Sequence, residues 1–271
     1  MPELPEAETI AGGLSTALTG AAVSSVRLRR PDFLKTGSRA ALRRLIGQRV
    51  TAVGRRGKCV VIHFGRWRLV LQLGMSGRPC LGRAGKPIDP HTHLVLTFAG
   101  GRQLRYVNSR RIAAGVHLLA PNQDGPLAHL GPDADGITRS EFLARLAGRT
   151  APIKAALLNQ SVLAGVGNIY ADEALFRAGI RPTRRVGRIG RERLGKLHAA
   201  VRAVLAQAIA AGGSTVTASS GFAGANGEPG YFTLSHRVYG RYGQACVRCG
   251  ATLRRTLVGG RTTTYCPRCQ K

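Results

Sequence analysis

Two Cys-x-x-Cys pairs, Cys246 with Cys249 and Cys266 with Cys269, stand near the C-terminus with 16 residues between them. Four thiolates at that spacing suit one tetrahedral zinc ion closed inside a ribbon. All four ligand positions are cysteine, so no coordination site is left for an activated water. The single Zn2+ is therefore structural. Between the pairs, "RRTLV" and "RTTTY" flank Gly259-Gly260, a two-residue turn whose positive backbone angles favour glycine. Arg261 is placed at the tip of that hairpin, where it reads equally well as a solvated charge or as a contact for an anion.

The charge balance favours the anion. The chain has 271 residues, enough for two domains or for one with a smaller appendage, and a formal net charge of +28 from 41 Lys plus Arg against 13 Asp plus Glu. Only 6 of those basic residues are Lys and 35 are Arg, whose planar fork suits phosphate and base edges. Nucleic acid is the leading partner. No apolar run is long enough to span a membrane, and the acidic N-terminus has no apolar signal core. These features predict an intracellular protein of the cytoplasm or nucleoid. In that reducing setting the isolated Cys59 and Cys80 read as packing residues.

The hydrophobic pattern changes along the chain. A helix is predicted over Leu4 to Leu18, with Gly12-Gly13 as a weak spot, followed by short β-branched segments: "AAVSSVRLRR", "KCVVIHF", "WRLVLQL", "HLVLTF" and "RQLRYV". A helix from Arg39 to Ile46 behind Ser38 as N-cap interrupts them. "LGPDADG" reads as a linker. From Ser140 apolar residues recur every three or four positions, and glycines close the segments. The Gly- and Ser-rich "GGSTVTASSGFAGANGEPGYF" that follows reads as a mobile loop. The expected fold is α+β and multidomain: an N-terminal β-sandwich with flanking helices (1–132), a helical domain (133–235) and a zinc-ribbon hairpin (236–271).

Two short stretches have more than one reading. In "LLNQSVLAGVGNIYADEAL", Gly165 and Gly167 separate two apolar helices and Asn168 is placed as N-cap of the second. That is either a plain helical hairpin or a backbone anion site for phosphate. "MPELPEAET" is an ordinary helix start, with proline in the first turn and Glu3, Glu6 and Glu8 near the positive end of the macrodipole. Removal of Met1 would also make Pro2 a free secondary amine beside a carboxylate, a nucleophile next to an acid.

"PELPEAET", "RRGK" ending at Lys58, "LGMSG" around Met75, "AGVGNIYADEALF", "GEPGYF" and "VYGRYGQAC" occur in an order that resembles the formamidopyrimidine-DNA glycosylase and endonuclease VIII family over nearly the whole chain. The resemblance implies a helix-two-turns-helix motif in the helical domain, with a lesion-recognition loop over 213–232. It also implies a bifunctional glycosylase and lyase of base excision repair, acting as a monomer on damaged double-stranded DNA. Pro2 would be the Schiff-base nucleophile, Glu3 the proton donor that opens the sugar, and Lys58 the acid for β-elimination. Arg261 would serve δ-elimination and phosphate contact. His91, Arg149 and Asn168 fall at DNA contacts, and Met75, Arg110 and Ile112 at the positions that fill the gap behind a flipped base.

The chain departs from the family pattern at "NSRRI", residues 108–112, where Asp-Pro usually precedes the Arg pair and Phe follows it. Ile112 still supplies an apolar wedge, without aromatic stacking. Gln72 stands where His is common, which keeps a phosphate hydrogen bond and loses a charge-assisted one. Oxidised purines (8-oxoguanine, formamidopyrimidines) are the expected substrates. The alternatives are an endonuclease VIII-like enzyme for oxidised pyrimidines and a non-catalytic DNA-binding relative.

Overall fold

The computed structural model describes residues 2–215 and 223–271. They divide into two compact units, one reaching to Ala128 and joined by Gly212–Tyr231, the other comprising His129–Ala211 and Phe232–Lys271.

The first unit opens with α1 (Leu4–Leu18), a 15-residue helix that spans the predicted segment. Leu4, Ala7, Ile10, Ala11, Leu14 and Leu18 are buried, the spacing that lays one helical stripe on a core. The glycine pair does not break it. A Cβ on Gly13 would sit 3.0 Å from that of Ala225, so this glycine lets the returning chain come close.

Among the described residues of this unit, nine strands make two sheets. β1 (Val23–Leu28), β6 (Gly77–Arg83), β7 (Thr92–Phe98) and β8 (Arg102–Asn108) pair antiparallel in the order β1-β7-β8-β6. The order β2-β9-β5-β4-β3 joins β2 (Leu34–Thr36), β3 (Ala52–Arg56), β4 (Cys59–Phe64), β5 (Trp67–Gln72) and β9 (Gly115–Leu119), with β2 and β9 parallel. Alternate residues Val60, Ile62, Phe64, Leu69 and Leu71 of one sheet share a core with Leu94, Leu96, Phe98, Leu104 and Tyr106 of the other, as in a sandwich. On its other face the five-stranded sheet buries Val61, Val70 and Leu119 in a smaller cluster with Leu127. α2 is shorter than predicted, Arg39–Arg43, with Ser38 accepting from Ala41 N.

The second unit contains α3 (Arg139–Leu146), α4 (Ile153–Leu158), α5 (Asn168–Ala178) and α6 (Arg191–Ala210), followed by the hairpin of β10 (Arg254–Val258) and β11 (Arg261–Tyr265). α5 ends at Gly179 in the left-handed region, and it packs on α4, α6 and β11. Among the described residues no helix is long and apolar enough to cross a membrane.

Two segments are also placed differently from the sequence reading. "LGPDADG" is not a free linker: Ala134 N donates to Ala164 O at 3.0 Å, and a Cβ on Gly131 would fall 2.5 Å from Ser161 O. The returning segment Gly212–Tyr231, placed by the sequence in the helical domain, belongs instead to the first unit. Ser214 bridges Tyr231, Ala225 is buried in the sandwich core, and Leu81 N donates to Ala225 O at 2.8 Å. Residues 216–222 of the predicted recognition loop lie outside the described residues.

Candidate active site and nucleic-acid interface

Pro2 and Glu3 are both buried where α1 begins. Glu3 is the N-cap in extended conformation, and it forms a capping box with Glu6, whose Oε2 accepts from Glu3 N at 2.8 Å. The other oxygen of Glu6 accepts from Ser214 N, also at 2.8 Å. One buried carboxylate thus ties the catalytic candidate pair to the start of the returning segment. The sequence marked Glu6 only as a helix-start charge, because its second partner is too distant along the chain to read.

Lys58 occupies the two-residue turn between β3 and β4, where Gly57 takes φ +56 in the first central position, the position that a type II′ turn reserves for glycine. The side chain is half-buried. α1 packs on both strands of this hairpin, and Arg55 Nε meets Glu8 Oε2 at 2.7 Å across that contact. Helix start and lysine turn therefore share one rigid support.

Four predicted interface residues gather at the end of β8. Arg110 N donates to Ser76 Oγ at 2.9 Å, and Met75 N donates to Ile112 O at 3.2 Å, so the segments after β5 and after β8 are laced together. Gly74 makes this approach feasible: a Cβ there would lie 2.2 Å from Ile112 O. Arg111 and Ala113, on either side of Ile112, have φ +55 and +50. Such left-handed non-glycine residues cost roughly 1–3 kcal/mol each and persist only where surrounding bonds hold them. Ile112 is left 53% exposed, an apolar side chain presented outward on a strained turn. His91 joins through its carbonyl, which accepts from Asn108 N at 2.9 Å.

In the second unit Asn168 is not the N-cap. Gly167 takes that position with extended angles, and Asn168 Nδ2 reaches Thr262 O on β11 at 3.0 Å. The turn before it is held by Gln160, which accepts from Gly165 N at 3.0 Å and donates to Val166 O at 2.9 Å. Arg149 lies after α3 with Nε on Arg145 O at 2.7 Å, a bond back to its own helix and not towards Asn168. Gly259 and Gly260, with φ +56 and +70, form the predicted turn, and the exposed Arg261 follows as the first residue of β11. The hairpin rests on Lys154, whose Nζ bonds Thr263 Oγ1 at 2.7 Å and pairs with Asp172 Oδ1 at 2.7 Å. Nothing in the local sequence marks Lys154 or Asp172, since helix spacing makes both look like surface charges.

The four thiols Cys246, Cys249, Cys266 and Cys269 come together with every Sγ within 4.8 Å of the others, and the Cys249–Cys266 and Cys246–Cys269 separations are 3.5 and 3.9 Å. Sulfurs about 2.3 Å from a tetrahedral zinc stand about 3.8 Å apart, so the cluster fits the ion. Arg248 N and Cys269 N donate to Cys246 Sγ and Cys266 Sγ, bonds that favour thiolates.

Residues 1–114 match the family model of the formamidopyrimidine-DNA glycosylase N-terminal domain, 130–220 its H2TH domain, and 243–271 the zinc finger found in FPG and IleRS. The formamidopyrimidine-DNA glycosylase of Bacillus subtilis is 38% identical over 277 residues, covering 100% of this chain and 99% of the relative. The chain belongs to the formamidopyrimidine-DNA glycosylase family. A second such glycosylase, from Rhizorhabdus wittichii, is 43% identical with both chains fully covered. Among solved formamidopyrimidine-DNA glycosylases, the Lactococcus lactis Fpg in complex with abasic-site DNA aligns with TM-score 0.90 at 32% identity, covering 99% of each chain. The MutM (Fpg) protein of Thermus thermophilus aligns with TM-score 0.89 at 37% identity, covering 99% of this chain and 98% of that one.

Proposed function

We propose that this formamidopyrimidine-DNA glycosylase family member is a bifunctional DNA glycosylase and lyase of base excision repair, which acts as a monomer on oxidised purines. The observation that carries the reading is the buried Pro2-Glu3 pair at the start of α1, held by Glu6. A base in duplex DNA hides its glycosidic bond, so the nucleotide must be everted and the hole behind it filled. Met75, Arg110 and Ile112 fill that hole, while His91, Arg149 and Asn168 hold the backbone. An α-amine titrates at about 8 against about 10.4 for Lys, so Pro2, freed of Met1, offers a far larger neutral, nucleophilic fraction near pH 7 than a lysine would. Its nitrogen bonds to C1′ as the bond to the base breaks and the base leaves with a proton. Glu3 protonates O4′, which opens the sugar to an iminium. Loss of a C2′ proton then expels the 3′ phosphate, with Lys58 supplying the acid, and Arg261 serves the second, δ elimination. The zinc ion does no chemistry; bound by its four thiolates, it would stiffen the ribbon that carries Arg261.

Borohydride trapping on duplexes containing 8-oxoguanine, and in parallel an oxidised pyrimidine, tests this directly. A covalent adduct on 8-oxoguanine that disappears in Pro2→Gly is the expected result. An adduct on the pyrimidine lesion alone moves the substrate class to that of endonuclease VIII. DNA binding without any adduct, from chains lacking Met1, leaves a binding protein.

A further inference from the structure

Asn108 is completely closed to solvent, yet it is the last residue of β8, where the chain leaves the sheet for the exposed turn that carries Arg110 and Ile112. Its side chain uses both ends. Oδ1 accepts from Arg111 N at 2.8 Å and from Ser76 Oγ at 2.7 Å, and Nδ2 donates to Leu73 O at 3.3 Å. A backbone N–H on one side and a carbonyl on the other fix which end is oxygen and which is nitrogen. Its backbone is equally committed, with N donating to His91 O and O accepting from His93 Nε2 at 2.7 Å.

These bonds fall on the three segments that present His91, Met75, and Arg110 with Ile112. Ser76 extends the network, since its Oγ donates to Asn108 and accepts from Arg110 N. The bond to Arg111 N engages one of the two left-handed residues beside Ile112. Without that acceptor, the N–H of Arg111 would lose its partner while its backbone stays in a strained conformation, and the turn would relax. The amide is matched to its surroundings: a carboxylate could accept both bonds but could not donate to Leu73 O.

We infer that Asn108 is a positioning residue for base eversion: its amide, with Ser76, joins the Met75 and Arg110–Ile112 segments into one preorganised wedge. This rests on the proposed role of those three side chains in filling the gap behind the everted nucleotide. Preorganisation of this kind acts on the opening of the base step and not on the chemistry at C1′.

The test is a set of single-turnover experiments with Asn108→Leu, Asn108→Asp and Ser76→Ala. Each variant is given a duplex with 8-oxoguanine, a duplex with an abasic site, which has no base to evict, and a lesion duplex carrying 2-aminopurine beside the lesion to report unstacking. For Asn108→Leu, excision of 8-oxoguanine is expected to slow about 10–100-fold, with the fluorescence rise slowed by the same factor and abasic-site cleavage changed less than about 3-fold. Asn108→Asp keeps the two accepted bonds but loses the one to Leu73 O, so its loss on 8-oxoguanine should be smaller than that of Asn108→Leu. Equal losses on both substrates, or an unchanged fluorescence phase, overturn the assignment. Should Asn108→Leu fail to fold, Ser76→Ala removes two bonds of the network, to Asn108 Oδ1 and from Arg110 N, at a half-buried loop position. It should slow excision about 3–10-fold with the same selectivity, and equal effects on both substrates would again reject the role. Wild-type protein that excises nothing refutes the proposed function instead, so the two failures are distinct.

Discussion

Lys154 Nζ and Asp172 Oδ1 stand 2.7 Å apart with both side chains almost wholly buried, at 0% and 1% exposure. Two charges at that depth are stable only as a pair, and here each also bonds the hairpin: Lys154 holds Thr263 Oγ1 and Asp172 accepts from Thr264 N at 3.1 Å. Asp172→Ala should therefore cost about 3–5 kcal/mol, because it strands a buried ammonium. The apolar double replacement Lys154→Met with Asp172→Leu should cost less than Asp172→Ala alone. Urea denaturation of the variants measures this, and a double replacement that costs the sum of both singles would argue against a coupled pair.

Gly74→Ala should damage the wedge without touching a candidate functional side chain. A Cβ there would meet Ile112 O at 2.2 Å and Ala113 O at 2.6 Å, both backbone atoms that cannot swing aside, and φ +58 disfavours alanine further. The expected loss is on the order of 1–3 kcal/mol in stability, with slower excision of a lesion base. Thermal denaturation and single-turnover kinetics check both, and a fully active variant of unchanged stability would show that the two segments can separate freely.

Sequence and structure agree where the physics is local. Leu4–Leu18 could be read because proline, acidic residues and a buried stripe lie within one segment, and the ribbon because its ligands are cysteines at fixed spacing. β6 was missed because it carries Gly77, Pro79 and Gly82, all poor strand residues. Its place at the edge of the sheet lets Pro79 leave a ladder position without a donor. Asn168 looked like a cap by residue type, but its amide finds Thr262, which local propensity cannot anticipate. The bonds of Glu6 to Ser214 and of Lys154 to Asp172 were hidden for the same reason: each partner is chosen by the tertiary fold.

Acid should destabilise the protein through buried histidines. Burial, reinforced by Lys35, lowers His117 from 6.5 to about 4, while its ring bonds Thr36 Oγ1 at 2.9 Å and Gln72 Oε1 at 3.1 Å. The unfolded chain binds the proton more readily than the folded one between those values. Stability contributed by neutral His117 is therefore present above about pH 6.5 and lost as pH falls towards 4, on the order of 1–2 kcal/mol. Burial likewise lowers His236 to about 4. Denaturant midpoints from pH 7 to 4.5 for wild type and His117→Gln should converge as pH falls; a pH-independent gap would contradict a histidine kept neutral.

Zinc content should be one ion per chain, and Cys249→Ser should lose it. The thiols lie 3.5–3.9 Å apart across the cluster, and at that distance ionised sulfurs repel one another unless a cation sits between them. Metal analysis paired with DNA binding reads the effect: loss of zinc should weaken binding several-fold by releasing the Arg261 hairpin. Retention of stoichiometric zinc by the serine variant would rule out a four-thiolate site.

Lys58→Ala should separate base removal from strand cleavage. The lysine is presented by a turn whose geometry depends on Gly57, between strands that pack on α1, so truncating its side chain leaves the support of Pro2 and Glu3 in place. In the proposed chemistry Pro2 and Glu3 act before the phosphate leaves, whereas Lys58 supplies the acid for elimination. Removing that acid should slow strand cleavage about 100-fold or more relative to base release, in keeping with the usual worth of a positioned acid. A time course that scores alkali-labile sites and direct breaks on one labelled duplex gives both rates, and equal slowing of the two would assign Lys58 to binding or to the first step. Gly57→Ala provides the control. It strains the turn and displaces the amine without removing it, so it should show the same split between base release and strand cleavage to a smaller degree.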